Sequence, residues 1–313
     1  MRPGIWLAVA IVAASCGSAA ETSPVEPVTS EPTSAPALPE GFRWESYGAA
    51  QVAVPDEWGW ESASQRLGQW CLVARGATAP AVGRPGSMTQ VGCPEGDPRE
   101  TSVDATGEFV AFTEDGDPAA RTAGDRVSVG IGGLRLVVQG EPELRETIVS
   151  SAHEIETDHL GCPVAPSLVG SADWLPDTEF PTEPTGIIRL VACGYSVGGG
   201  GPGLTGSAAL DPETVAAIAR APEGSGPNDP SSCLPTDGVR EVVVLRASSG
   251  EGPPDELLVR YDDCRDAGLY DARGVRQLTP EAVAGIFVGP LLPDHLAGHH
   301  RELFRPLLES RFS

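Results

Sequence analysis

The 313-residue sequence contains no lysine, so all 21 of its cationic side chains are arginine. A Walker-type phosphate loop, a Schiff-base enzyme and a Ser-x-x-Lys acyl transferase each depend on a lysine amine, which excludes all three. Aromatic residues are only 5% of the chain, against 38 glycines and 30 prolines. Cores built from this composition are lean and connections long. No two cysteines are separated by two residues, so a zinc ribbon or thioredoxin-type site has no basis. Positive charge is also short: with 44 acidic residues the net charge is −23. Nucleic acid and anionic lipid surfaces repel such a chain, so neither is an expected electrostatic partner. Finally, the apolar run from Ile5 to Ala14 is too short to span a bilayer.

That short run is instead the core of an export signal. Arg2 precedes it, and it leads into Val12-Ala13-Ala14-Ser15-Cys16-Gly17. A cysteine directly after small residues at this point is the site at which bacterial lipoproteins are diacylated and cleaved. Residues 1–15 are therefore expected to be removed, leaving Cys16 lipidated as the first residue of a chain anchored to the outer face of the cell membrane. Ser18-Ala19-Ala20 offers an ordinary cleavage site slightly later, and with it the alternative of plain secretion. Residues 16–40 are Pro, Ser, Thr and Glu with little to bury, which reads as a disordered, proline-stiffened linker.

Export makes the remaining six cysteines informative, because an oxidising compartment favours disulfides. Cys71, Cys93, Cys162, Cys193, Cys233 and Cys264 form an even set with no thiol left over. Cys233 precedes one expected strand and Cys264 follows its hairpin partner. Proximity therefore pairs 233 with 264 and 71 with 93, leaving 162 with 193.

Alternation marks strands at 51–54, 69–73, 108–112, 127–131 and 134–139, with Gly132-Gly133 as a hairpin turn inside the last pair. Leu144, Ile148, Ala152 and Ile155 then recur at helical spacing, with Pro142 in the first turn. Beyond Cys162 the chain predicts strands at 187–193, 241–247 and 257–261 and a short pair around Leu269-Tyr270 and Val275. Asp211-Pro212-Glu213 and Thr279-Pro280-Glu281 carry helix-start signals. The expected class is α+β: two small disulfide-braced domains, 41–159 and 160–290, each with antiparallel sheet and one or two packed helices. Residues 291–313 form a C-terminal tail.

Arg43-Trp44-Glu45-Ser46-Tyr47-Gly48, Val54-Pro55-Asp56-Glu57-Trp58-Gly59, Trp70-Cys71, Arg84-Pro85-Gly86, Gly92-Cys93-Pro94 and Asp158-His159-Leu160-Gly161-Cys162-Pro163 resemble uncharacterised lipoproteins of actinobacteria. The spacing from Cys193-Gly194-Tyr195 through Cys233 to Cys264 is similar to a pattern in secreted proteins of the same group. The resemblance covers most of residues 41–288. It implies an extracytoplasmic location and carries no activity with it.

Two motifs could carry chemistry. Gly194-Tyr195-Ser196-Val197-Gly198 matches the Gly-x-Ser-x-Gly nucleophile elbow, but an elbow opens a helix and here a glycine-rich loop, 198–203, follows. Ser196 is thus expected to be unclamped, and an exported serine hydrolase is the lesser alternative. His295, His299 and His300 place two imidazoles four apart and suggest a metal-binding alternative, although Leu296 occupies the position where a zinc peptidase carries its glutamate. His153 and His159 have no such spacing. Trp58, Trp60 and Trp70 read as core or half-buried strand residues before they read as a groove. The expectation is a non-enzymatic binding or envelope-associated protein without catalytic residues, metal or cofactor. Its membrane contact would be the N-terminal lipid.

Overall fold

The computed structural model describes residues 36–62, 79–85, 107–114, 121–123, 126–166, 174–197, 203–224, 240–250, 252–261, 267–293 and 301–310. Cys16, Cys71, Cys93, Cys233, Cys264, Trp70, His295, His299 and His300 lie outside them, as do the signal segment and the linker up to residue 35.

The strand-forming hydrophobic pattern extends further than the sequence reading allowed. Phe42–Tyr47 (β1) and Ala50–Pro55 (β2) form a hairpin, and the two-residue strand His153–Glu154 (β9) adds to β2. A second sheet has the order Gly59–Ser62 (β3), Ala81–Arg84 (β4), Phe109–Thr113 (β5), Leu134–Gln139 (β8), Arg126–Ile131 (β7) and Arg121–Ala123 (β6). Its first three strands run parallel and the others antiparallel. The third sheet is wholly antiparallel: Leu204–Leu210 (β11), Arg189–Val197 (β10), Arg240–Ser248 (β12), Asp255–Arg260 (β13), Gly268–Asp271 (β14) and Gly274–Arg276 (β15). The helices of the described residues are short: Pro142–Ser151 (α1), Thr214–Ala219 (α2), Pro280–Ile286 (α3) and Arg301–Ser310 (α4).

The α+β expectation is therefore corrected: the chain is mostly β, organised as three sheets carrying a few short helices. The reasons are local. The helical spacing that runs on to Ile155 is cut at Ser151, because β2 takes the chain: His153 and Glu154 pair with Gln51 and Ala50, and Ile155 N donates to Ala49 O at 2.9 Å. Strand β11, Leu-Thr-Gly-Ser-Ala-Ala-Leu, has almost no β-branched or aromatic content and holds its place through pairing with β10. Asp211 does not start a helix. Its Oδ1 closes a turn by accepting from Glu213 N at 2.9 Å, and α2 begins three residues later at Thr214. Thr279 does cap α3 as its sequence signals, accepting from Ala282 N at 3.2 Å.

Two main cores result. Leu136, Val138, Val110, Phe112 and Val82 of the second sheet face Val52 and Val54 of the hairpin, with Ile148 of α1 and Trp58 packed among them. One face of the third sheet presents Leu190, Ala192, Val243, Leu245, Leu257 and Val259 to helices α2 and α3. The tail is part of this second core: Phe304 of α4 is fully buried, edge-on to Phe287 at 4.8 Å and beside Tyr261. Burying one such ring is worth about 1.5–3 kcal/mol.

The sheets meet around a buried ion cluster. Glu45 on β1 accepts from Arg84 of β4, from Arg43 Nε at 2.7 Å and from Trp60 Nε1 at 2.8 Å. Burial alone would raise this carboxyl. Arg84 and Arg43 outweigh it and hold Glu45 below its ordinary range. Arg84 is itself buried, and its Nε and Nη1 make no hydrogen bond among the described residues. Strand β11 comes close here, since a Cβ on Gly206 would lie 3.6 Å from Arg84 Nε. At the tip of the first hairpin, Gly48 N donates to Leu204 O at 2.6 Å.

Candidate binding pocket

The other face of the third sheet is set by register. Because Cys193 pairs with Val244, Val191 with Arg246 and Arg246 with Glu256, the residues at 191, 193, 195, 242, 244, 246, 256 and 258 share one side. Val191, Cys193, Tyr195, Val242, Val244 and Leu258 form a separate small core there with Cys162. No helix covers this layer among the described residues. What covers it is the segment 156–166, strapped down at several points.

The first fastening is covalent: Cys162 and Cys193 form a disulfide, Cα to Cα 5.7 Å, as the sequence pairing expects. Asp158 is the second. Its Oδ1 accepts from the backbone N–H of Leu160 at 3.0 Å and of Cys162 at 2.7 Å, while its Oδ2 accepts from the Ser207 hydroxyl of β11. The third is backbone pairing: Leu204 N donates to Val164 O at 3.1 Å. That approach requires glycine at 203, where φ is +82° and a Cβ would stand 2.3 Å from Val164 O. Arg246 reaches across the strap, donating Nη1 to Gly161 O and Nε to Glu256 Oε1 at 3.1 Å.

Between strap and sheet is a pocket of about 230 Å³. Tyr195, Val244, Arg246 and Glu256 form its floor; Pro163, Pro166 and Trp174 form its walls. Trp174 is held from below by Arg260, whose Nη2 donates to its carbonyl at 3.4 Å. Burial pushes the Tyr195 phenol above its ordinary value against the pull of Arg246, so it is a neutral hydroxyl. Burial also raises the Glu256 carboxyl, with Arg246 opposing and Asp177 adding to the rise. Three pocket atoms make no hydrogen bond to any described residue: Tyr195 Oη, Arg246 Nη2 and Glu256 Oε2. The pocket thus combines three apolar walls and an apolar Val244 in the floor with one donor, one cationic donor and one carboxylate acceptor, the composition of a small-ligand site.

The residues singled out in the sequence distribute differently. Ser196 is not on a loose loop: it lies within β10, paired with Glu241 of β12, its N–H donating to Gly203 O at 2.8 Å. It is buried, and its hydroxyl makes no hydrogen bond, to histidine or to anything else, among the described residues. The expectation of an unclamped serine is corrected; the strand continues through Val197 because β12 pairs with it to the end. His153 and His159 meet on Gln51. Gln51 Oε1 accepts from His159 N at 3.0 Å, and the Gln51 amide nitrogen lies 3.2 Å from His153 Nε2. Since His153 Nδ1 faces Ser151 O at 2.9 Å it must donate there, so Nε2 is the acceptor. Trp58 is core, and Trp60 lies under the Arg43 guanidinium, 4.4 Å from its ring centroid. No group of three metal-ligating side chains, and no helix long and apolar enough to cross a membrane, occurs among the described residues.

Sequence reasoning missed Trp174, Tyr195, Arg246 and Glu256. One signal was available: Arg246 interrupts the run Val242-Val243-Val244-Leu245, and counting back from the loop at 249–254 puts Glu256 opposite it. No known protein family, characterised protein or solved structure matches the chain.

Proposed function

We propose that this is an exported, non-enzymatic binding protein, held at the outer face of the cell membrane by a lipid on Cys16, that takes a small ligand in the pocket beneath the 156–166 strap. The pocket carries the binding part of the reading. Polar atoms that make no hydrogen bond to any described residue, set beside apolar walls on a sheet face stiffened by a disulfide, are pre-organised for a ligand. The lipoprotein-type signal, the proline-stiffened linker and the resemblance to actinobacterial lipoproteins support the location.

Two experiments test it. The native protein should partition into detergent, and Cys16→Ala should release it; a soluble mature chain beginning at Glu21 from wild-type cells contradicts the anchor. A thermal-shift screen of small metabolites should give stabilisation that Trp174→Ala abolishes. Hits indifferent to that substitution would place binding elsewhere.

A further inference from the structure

We infer that the ligand of this pocket is a small zwitterion with an apolar body, of the kind represented by a free apolar α-amino acid. The inference rests on the pocket reading above and goes on to the chemistry that the pocket selects.

Arg246 and Glu256 are cross-strand partners, so their charged ends lie side by side. Each spends only part of its capacity on the other. Nε and Oε1 make the 3.1 Å contact, Nη1 is taken by Gly161 O, and Nη2 and Oε2 make no hydrogen bond to any described residue. A ligand carrying only an anion would leave Oε2 unpaired and bring its charge against the Glu256 carboxylate; one carrying only a cation would do the same at Arg246. A ligand with adjacent opposite charges answers both. Its carboxylate accepts from Arg246 Nη2 and from the Tyr195 hydroxyl, which burial keeps protonated. Its ammonium donates to Glu256 Oε2. Charge-assisted hydrogen bonds of this kind are stronger than neutral ones.

The rest of the pocket excludes a purely polar occupant. Trp174, Pro163, Pro166 and Val244 present apolar surface, and Val244 is buried in the sheet floor. At about 230 Å³ the space is below the range typical of drug-sized ligands, about 300–1,000 Å³. It suits one compact apolar group and a charged head, not a peptide or an oligosaccharide.

Calorimetry on the full mature, oxidised chain tests this with L-leucine, L-proline and L-phenylalanine as probes. For whichever binds, the methyl ester removes the carboxylate and the N-acetyl form removes the ammonium. At least one of the three amino acids should bind one to one, and each modified form should bind about tenfold more weakly or worse. In Arg246→Gln the ester should lose no further affinity, and in Glu256→Gln the N-acetyl form should lose none. Because the modified ligands are tested on the unaltered protein, the inference stays falsifiable even if a variant fails to fold. Equal binding of ester, N-acetyl form and free amino acid overturns the zwitterion, as does binding of glucose with none of the amino acids; either leaves the pocket reading standing if Trp174→Ala weakens what does bind. Absence of binding by all three amino acids also overturns the zwitterion. Amino-acid binding that Trp174→Ala leaves unchanged overturns the pocket itself.

Discussion

Glu45 and Arg84 meet at 2.5 Å, Oε2 to Nη2, with side chains 4% and 9% exposed, where the first hairpin meets the second sheet. Two charges this deep in the protein are tolerated only as a set. Removing Glu45 leaves the buried Arg84 without its carboxylate, which costs about 3–5 kcal/mol, whereas Glu45 would keep Arg43 if Arg84 were removed. Glu45→Gln should therefore lower the urea midpoint far more than a surface change does. The double variant Glu45→Gln/Arg84→Met should cost less than the two single losses added together, which a double-mutant cycle measures directly.

The same carboxylate sets the acid limit. Burial pushes Glu45 up, but Arg84 and Arg43 hold it below its ordinary value of 4.5. Asp271 is likewise raised by burial but held below 3.8 by the Arg273 side chain and the backbone N–H of Phe180. Both groups bind protons more readily in the unfolded chain, so stability rises with pH through this range. Their contribution is complete above about pH 4.5 and is lost as pH falls through the lower folded values. Urea midpoints measured from about pH 6 to about pH 3 should fall steeply below that point, and Glu45→Gln should fall less steeply than wild type.

The disulfide and the close backbone approach it accompanies can be tested separately. Cys162 and Cys193 are 31 residues apart. Replacing both with alanine should cost about 3–4 kcal/mol through the freed loop. Non-reducing peptide mapping should recover the 162–193 pair; a 193–233 peptide would contradict it. Gly203→Ala places a methyl against Val164 O and forces a left-handed backbone on a residue with a Cβ, so about 2 kcal/mol or more should be lost with the disulfide intact.

Ser196 gives a prediction with the opposite sign. The Ser196 hydroxyl is buried with no hydrogen-bond partner among the described residues, which is a cost, so Ser196→Ala should be neutral or stabilising by up to about 1 kcal/mol. A fluorophosphonate probe should leave the residue unlabelled. Labelling that vanishes in Ser196→Ala would restore the hydrolase alternative.

Local signals in the sequence were read well where the residues themselves dictate the backbone. Gly132 and Gly133 both adopt positive φ and turn β7 into β8 where the pair of glycines predicts a hairpin. Thr279-Pro280-Glu281 starts a helix with the expected cap. What escaped was imposed from outside the segment. Leu204–Leu210 becomes a strand because β10 offers it an edge, and α1 ends early because β2 claims the next residues. The pocket was illegible for the same reason. Its floor comes from three strands, and its walls come from chain that only the strap brings near. The Gly-x-Ser-x-Gly match is rightly not read as an elbow, but the reason is incomplete: Ser196 is held in β10, which runs on to Val197, and not on a loose loop.

The bond from Gly48 to Leu204 has a consequence in time as well as in space. The first hairpin cannot complete its packing until a residue more than 150 positions later has been made and brought back. Contacts of such long range are closed late and slowly. Until Leu204 arrives, the tip of the first hairpin holds the Gly48 N–H without its folded-state acceptor, so the order of synthesis sets when this hairpin is locked in place.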